Sequence, residues 1–439
     1  MKDFIIVFNP DIPNLMVVDQ FGKELIELCN GNRGFNQITE VISRKYRLEK
    51  EAVNQVKNFL LSLAKSGFLS FEPSLPKVEK PEFHEKLEIL FLHLTDGCNL
   101  RCKHCYLSAE TPHENELSTE EFQNILKDFV KLGGRSLVIT GGEPLLRRTT
   151  LYELIEEAEN QKIKEVIINT NGTLITKKDI EFFKHFDIKI AISLDAATKE
   201  IHDSIRGSGS FEKTMDAINL LSVANIPTML GMTLMKPNID EIKKYFKFAK
   251  QHGITQLSFN IIKIEGRAQR NIEELAISIE DAIEAVRTIK ECSKLFSIKT
   301  SLEEFMLQLE ASFRRDACGA GSSLLSIGAN GNVHPCDAFY RKIVAGNVRE
   351  KRLKNIWRDS NILKTLRKLS VLDIPGCRNC NLKFICGGGC IQEIFEAYGG
   401  FDGPNPYCTF YKTLSWDLIE ELSLKLWQEL KNDYEENKQ

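Results

Sequence analysis

Ten of the twelve cysteines in this chain fall into two spaced groups, and their spacing limits what the chain can fold around. The first group is Cys98-Asn-Leu-Arg-Cys102-Lys-His-Cys105. The second is spread over Cys318, Cys336, Cys377, Cys380, Cys386, Cys390 and Cys408. The first residues, MKDFIIVFNP, lack a signal-peptide pattern, and no apolar run reaches membrane-spanning length, so the expected location is the cytoplasm, away from membranes. A reducing compartment disfavours structural disulfides, so clustered thiols there point to metal binding or redox chemistry. The net charge of -3 gives no electrostatic footprint for nucleic acid. Cys29 and Cys292 stand apart in helical, partly apolar stretches and read as small buried side chains.

A chain of 439 residues is too long for one ordinary domain. Residues 1–71 form a first segment. Two apolar runs, Ile5-Ile6-Val7-Phe8 and Leu15-Met16-Val17-Val18, flank the turn residues Asn9-Pro10-Asp11-Ile12-Pro13. Helical periodicity follows near 20–29, 36–46 and 49–66, and Phe68-Leu69-Ser70-Phe71 can add a strand. This pattern suggests a winged-helix-like module. Residues 72–86, with three prolines and many charges, read as a linker. From 87 to about 305, strands are expected at 87–94, 136–140, 165–169, 188–194, 228–235 and 256–262, with amphipathic helices between them. Repeated strand–helix units imply an α/β fold with a parallel sheet, here an incomplete (β/α)6 barrel whose functional groups gather at the C-terminal strand ends. Residues 306–409 form a cysteine-rich domain of weak periodicity. In the C-terminal segment 410–439, Leu414, Leu418, Leu422 and Leu426 recur at helical spacing and are expected to dock on the body of the protein.

The first cysteine group directly follows the first barrel strand. Three thiolates can hold three irons of a four-iron cluster and leave the fourth iron open. The alternative is a zinc knuckle, which wants a fourth ligand; His104 is present but wedged between two cysteines. The run CNLRCKHCY at this place resembles the signature of the radical S-adenosylmethionine (SAM) superfamily. The resemblance implies that the open iron chelates the methionyl amino and carboxylate groups of SAM, and that one-electron reduction releases a 5′-deoxyadenosyl radical. It places His104 where an aromatic residue contacts SAM near the adenine. Thr140-Gly141-Gly142-Glu143-Pro144, after the second strand, resembles the motif that binds the SAM amino group. Glycines admit close backbone approach, and a carboxylate accepts from an ammonium. Ser193-Leu194-Asp195 matches the ribose- and carboxylate-contacting position, and His202-Asp203-x-x-Arg206 the segment that offers an arginine to the SAM carboxylate. The alternative for Arg206 is a surface arginine. Asn169-Thr170-Asn171-Gly172 also fits the family, or simply turns the chain. The resemblance covers about residues 87–300.

The seven later cysteines exceed the needs of one metal site and nearly supply two four-iron clusters. A pair of zinc sites is the alternative. Cys386-Gly-Gly-Gly-Cys390 offers flexible backbone whose amides can reach cluster sulfurs. Order and spacing resemble the SPASM domain, the auxiliary-cluster extension of peptide-modifying radical SAM enzymes. The resemblance implies three [4Fe-4S] clusters in all. Cys377, Cys380, Cys386 and Cys408 would hold the distal one, and Cys318, Cys336 and Cys390 the nearer. Residues 293–317 contain no further cysteine, so the nearer cluster is expected to keep an open or externally filled site. Asp337, after Cys336, matches an aspartate proposed as a base in a formylglycine-generating branch; it could equally cap a turn.

Residues 1–71 resemble the precursor-recognition element of ribosomal-peptide maturases. Helix 36–46 carries only Arg44 and Lys45 near its end, too little for a DNA-recognition helix. A leader peptide adding a strand to the sheet edge is the expected mode. The function implied is a peptide maturase fed by a flavodoxin- or ferredoxin-type electron donor, with cysteine thioether cross-linking first and carbon–carbon cross-linking next. Formylglycine-type oxidation of a folded protein, and a non-catalytic peptide-binding metal scaffold, are the rivals.

Overall fold

The computed structural model describes residues 4–11, 14–70, 86–301 and 318–436, with side chains to 432. They pack as two compact units. One contains the described residues of 1–81 and 370–439, the other those of 82–308 and 318–369.

In the first unit, strands β1 (Ile5–Asn9) and β2 (Asn14–Val18) pair antiparallel, Ile5 opposite Val18. Asp19 then caps the helix Gln20–Glu27 by accepting from Gly22 N at 2.8 Å. Helices Phe35–Tyr46 and Lys50–Lys65 follow, and Leu25, Ile38, Ile42, Val56, Leu60 and Leu63 form their shared core. The third strand suggested for residues 68–71 is a correction. Phe71 lies outside the described residues, and residues 68–70 form no strand. The amides of Phe68 and Leu69 instead both donate to Leu63 O, at 2.8 and 3.2 Å, and satisfy one carbonyl left free at a helix end. The sheet here has two strands among the described residues, and a winged helix is not established. The hairpin is anchored within its unit. Asp11 pairs with the buried Lys383 at 2.7 Å, Phe4 packs on Trp427, and β2 lies against the helix Cys408–Glu436. Leu418 and Leu422 of that helix are buried, while Leu414 and Leu426 are half-buried.

The second unit contains the expected parallel sheet. β3 (Ile89–His93), β4 (Ser136–Thr140), β5 (Glu165–Thr170), β6 (Lys189–Ser193), β7 (Thr228–Leu234) and β8 (Gln256–Ile261) pair in sequence order, each parallel to the next. Helices such as Thr119–Lys131 and Ile242–Gln251 make the crossovers that parallel strands require. The expected six strands are not the whole sheet. β9 (Lys299–Thr300) extends it beyond β8. At the other edge β10 (Leu324–Ile327) pairs parallel with β3, and β11 (Asn332–His334) and β12 (Gly346–Asn347) continue antiparallel. Strands this short carry no readable periodicity. The β10–β3 pairing matters most for the site, because it brings the chain around Cys336 beside the strand that leads to Cys98.

Candidate cluster and cofactor site

The three thiols of the first cysteine group lie on an irregular loop after β3 and are close enough to feel one another. Burial, then the Asp195 carboxylate and the neighbouring thiols Cys105 and Cys98, pushes the Cys102 thiol up to about 11 against the pull of Arg206. Burial likewise raises Cys98. A metal cation is what ionises such thiols. All twelve cysteines are free thiols. Among the described residues no three His, Cys, Asp or Glu side chains converge on a single metal ion. Leu100 N donates to Cys98 Sγ at 3.4 Å, the contact expected at a cluster sulfur.

The glycines of the Gly141-Gly142-Glu143 motif are used differently from the expectation. Gly142 N donates to Thr95 O and Glu143 N to Gly97 O, both at 2.8 Å. A Cβ on Gly142 would stand 2.0 Å from Gly97 O, and one on Gly141 2.4 Å from Thr95 O. Their close approach is to the backbone that delivers Cys98. Glu143 is fully buried and accepts from Thr170 Oγ1 at 2.7 Å, Asn171 N at 2.9 Å and Leu145 N at 3.1 Å. Burial raises its pKa in spite of these donors. Three of its roughly four acceptor sites are therefore taken by protein. The Asn169–Gly172 motif does more than turn the chain: besides holding Glu143, Asn171 Nδ2 donates to Asn99 Oδ1 at 3.0 Å, inside the cysteine loop.

Asp195 and Arg206 form a buried pair with Nε to Oδ2 at 2.6 Å, so Arg206 is no surface arginine. Each holds the other charged against burial: Asp195 lies below its usual range and Arg206 above. Asp195 also accepts from Thr233 N at 2.9 Å, and Asn238 Nδ2 donates to its carbonyl at 2.7 Å. Burial lowers both His104 and His202 to about 4, leaving neutral rings. His104 Nδ1 and His202 Nε2 are buried without a hydrogen-bond partner among the described residues. Ser193 is half-buried at the end of β6, its backbone paired with Gly231. Neighbouring thiols, orphaned ring nitrogens and a buried cation fit a group that brings its own iron and polar atoms. Replacing Asp195 by Asn leaves the Arg206 charge buried and uncompensated. It is expected to cost roughly 3 kcal/mol in a denaturant titration.

Asp337 follows Cys336 and meets two residues that sequence reasoning missed. His93 Nε2 donates to its Oδ1 at 2.6 Å, and Tyr106 OH to its Oδ2 at 2.7 Å. Burial alone would raise the carboxyl, but the attraction and hydrogen bond of His93 and the bond from Tyr106 hold it at about 2. Because the folded value lies below the ordinary 3.8, the stabilisation is complete above about pH 4 and lost as pH falls toward 2. Asp337→Asn is expected to remove on the order of 2 kcal/mol of that acid-sensitive stability, read from melting temperature against pH. Tyr340 stacks on His93 with centroids 3.9 Å apart and donates to Asp96 Oδ1 at 2.6 Å. Arg341 reaches Asp96 Oδ2 at 2.8 Å and Leu107 O at 2.9 Å. The one signal for these residues was a histidine closing an otherwise apolar strand.

Of the later cysteines, Cys318 and Cys336 lie in the barrel unit, where Gly321 N donates to Pro335 O at 2.8 Å. Cys377, Cys380, Cys386, Cys390 and Cys408 lie in the other unit. There burial, then the nearby Cys386, Cys408 and Cys380 thiols, pushes Cys377 up to about 11. Three successive left-handed glycines, 387–389, turn the chain between Cys386 and Cys390.

Fold and site together define a parallel-sheet α/β protein with a three-thiol site at the C-terminal mouth of its strands. The sequence model of the Radical SAM superfamily matches residues 92–249, and that of an iron-sulfur cluster-binding SPASM domain residues 318–381. The chain belongs to the radical SAM superfamily, carries a SPASM domain, and is an enzyme that uses iron–sulfur clusters and S-adenosylmethionine. It is 27% identical to the AdoMet-dependent heme synthase of Methanosarcina barkeri over 72% of this chain and 95% of that one. It is 28% identical to the mycofactocin maturase MftC of Mycobacterium tuberculosis over 72% of this chain and 81% of that one. In fold it matches Streptococcus suis SuiB bound to its precursor peptide SuiA, with TM-score 0.63 and 16% identity over 93% of this chain and 99% of that one. It also matches anSMEcpe with bound AdoMet, with TM-score 0.64 and 20% identity over 77% and 98%. No described helix is long and apolar enough to cross a membrane.

Proposed function

We propose that this enzyme is a peptide maturase. The observation that carries the reading is the N-terminal hairpin-and-helix segment. The likeness to SuiB spans 93% of the chain, which takes in more than half of the first 70 residues, and SuiB is a protein solved with a precursor peptide. The two-stranded β1–β2 sheet offers edges to which a leader strand can add. A leader held on residues 1–71 raises the effective concentration of the core peptide at the barrel mouth.

Cys98, Cys102 and Cys105 would hold the first of three [4Fe-4S] clusters, and the seven later cysteines the other two, with the nearer one keeping an open site. When bound, cluster and SAM supply a 5′-deoxyadenosyl radical. The chain's own groups would place the cofactor: Arg206, kept charged by Asp195, would offer its guanidinium to the SAM carboxylate. Glu143 and the 141–142 backbone would shape the amino-group side, Ser193 would meet the ribose, and His104 would border the adenine. The low pKa of Asp337 makes it a weak base at neutral pH, better suited to orienting a substrate thiol through Tyr106 than to deprotonating it unaided. Thioether formation joins a cysteine sulfur to a carbon and removes two hydrogens, one to deoxyadenosine and one as a proton plus an electron. The later cysteines would hold groups suited to accept that electron, and a flavodoxin- or ferredoxin-type protein would be the donor for the first step. Carbon–carbon cross-linking is the next reading.

A second substrate class is favoured by a specific observation. The heme synthase of M. barkeri aligns along 95% of its own length, and the Fe-coproporphyrin III synthase of the same organism is 28% identical to this chain. That reading makes a tetrapyrrole the substrate and leaves residues 1–71 unexplained. Co-expression with short precursor peptides encoded nearby, followed by mass spectrometry, tests the proposal. Loss of two hydrogens per link supports it. An unmodified peptide, with deoxyadenosine formed only when iron coproporphyrin is supplied, would overturn it.

A further inference from the structure

The loop that carries Cys98, Cys102 and Cys105 has almost no regular structure, so its carbonyls need donors from elsewhere. Several of those donors come from a segment outside every recognised motif, just after β8. Arg267 Nε donates to Cys102 O at 2.9 Å, and Arg267 NH1 to Ala109 O at 3.1 Å. Its backbone N donates to Cys105 O at 3.0 Å. Asn271 Nδ2 reaches Lys103 O at 3.3 Å and Arg267 O at 2.9 Å. The segment lies flat on the loop because Gly266 has φ +56° and no side chain: a Cβ there would stand 2.4 Å from Tyr106 O and 2.7 Å from Cys105 O. The Arg267 side chain is 12% exposed, and its nearest carboxylate, the mostly exposed Glu110, is 3.6 Å away.

We propose that Arg267 is a positioning residue for the cysteine loop: its planar fork sets the span between Cys102 and Ala109, and its fixed charge is hydrogen-bonded to the Cys102 carbonyl within that loop. A guanidinium holds Nε and NH1 in one rigid plane, so two carbonyls seven residues apart are locked to each other as well as to the barrel. A lysine supplies the charge without the fork. A cation placed there favours the more negative state of any cluster the loop holds. The inference rests on reading Cys98, Cys102 and Cys105 as iron ligands.

The test uses the full chain, reconstituted anaerobically with iron and sulfide, in four variants: Arg267→Ala, Arg267→Lys, Cys102→Ala and, as a remote control, Arg352→Ala. Arg352 pairs with Asp128 at 2.7 Å on the outside of the barrel and touches no cysteine. The electron paramagnetic resonance signal that changes on adding SAM reports the cluster of this loop. Arg267→Ala is expected to release that cluster's iron to a chelator about tenfold faster and to shift its midpoint potential downward. Arg267→Lys should release iron faster while keeping the potential near that of the parent. Arg352→Ala should lower the melting temperature with neither effect. Parent-like release and signal in both Arg267 variants, or losses no larger than those of Arg352→Ala, would overturn the proposal. If Arg267→Ala does not fold, the lysine variant decides by its release rate. Full iron and an unchanged SAM response in Cys102→Ala would instead remove the ligand reading on which the proposal stands.

Discussion

Cys102→Ala is expected to reduce 5′-deoxyadenosine formation to the level of a protein-free reaction, while Cys292→Ala leaves it intact. The two residues are similarly buried, at 8% and 2% exposure, so burial does not separate them. Their surroundings do. Cys292 packs among aliphatic and aromatic side chains of the barrel core, on the helix Ile279–Phe296, with no thiol beside it. Cys102 sits with two other thiols and with Arg206. Cys292→Ala should therefore cost about 1–2 kcal/mol of stability, as removal of a small core side chain does. Cys102→Ala should remove one of the three ligands proposed for the site. Anaerobic turnover with a strong reductant, quantified by chromatography, checks both. Deoxyadenosine production that survives Cys102→Ala would contradict the assignment of the loop.

The second large effect is expected from a single methyl group. Gly142→Ala places a carbon 2.0 Å from Gly97 O and 2.5 Å from Gly97 C. Gly142 itself does not have a left-handed backbone, so alanine could adopt its conformation; the clash alone decides. Backbone cannot rotate away as a side-chain tip can, so residue 97 must move and carry Cys98 with it. The expected cost is about 3 kcal/mol, with loss of iron from the loop. Gly34→Ala, whose added carbon meets nothing nearer than 3.8 Å, is the control and should retain its iron. Iron content after reconstitution, with thermal melting alongside, measures both. A Gly142→Ala protein with full iron would mean that the loop is softer than its hydrogen bonds to Thr95 and Gly97 imply.

Much of this was open to a reader of the sequence. Strand β4 falls on the expected residues 136–140, and the other five strands of the series differ by one or two residues at their ends. A buried strand is a local apolar run of the right length between turn residues, so it needs no partner to be recognised. The cysteine spacings are local in the same way. Strands β9 to β12 are two to four residues long and exist only through their partners. The supposed strand at 68–71 failed for the converse reason. Its apolar residues had a nearer use in closing the end of a helix.

The motifs themselves show the same division. From the sequence, Glu143 and Arg206 read as groups turned toward a ligand, and Asn169–Gly172 as a family motif or a simple turn. In the fold Glu143 is filled largely by Thr170, Asn171 and Leu145, Asn171 ties to Asn99, and Arg206 is anchored on Asp195. These bonds connect strand ends far apart in the chain. The sequence by itself determined the class of chemistry: cysteine spacing, glycine motifs and alternating strands and helices are local, and local pattern is what a chain displays without folding. Only the tertiary structure decided how the cysteine loop is held. Its supports are Asp337 and His93, 244 residues apart, and Arg267 and Cys102, 165 apart, and no local pattern links residues that meet only when the sheet is assembled.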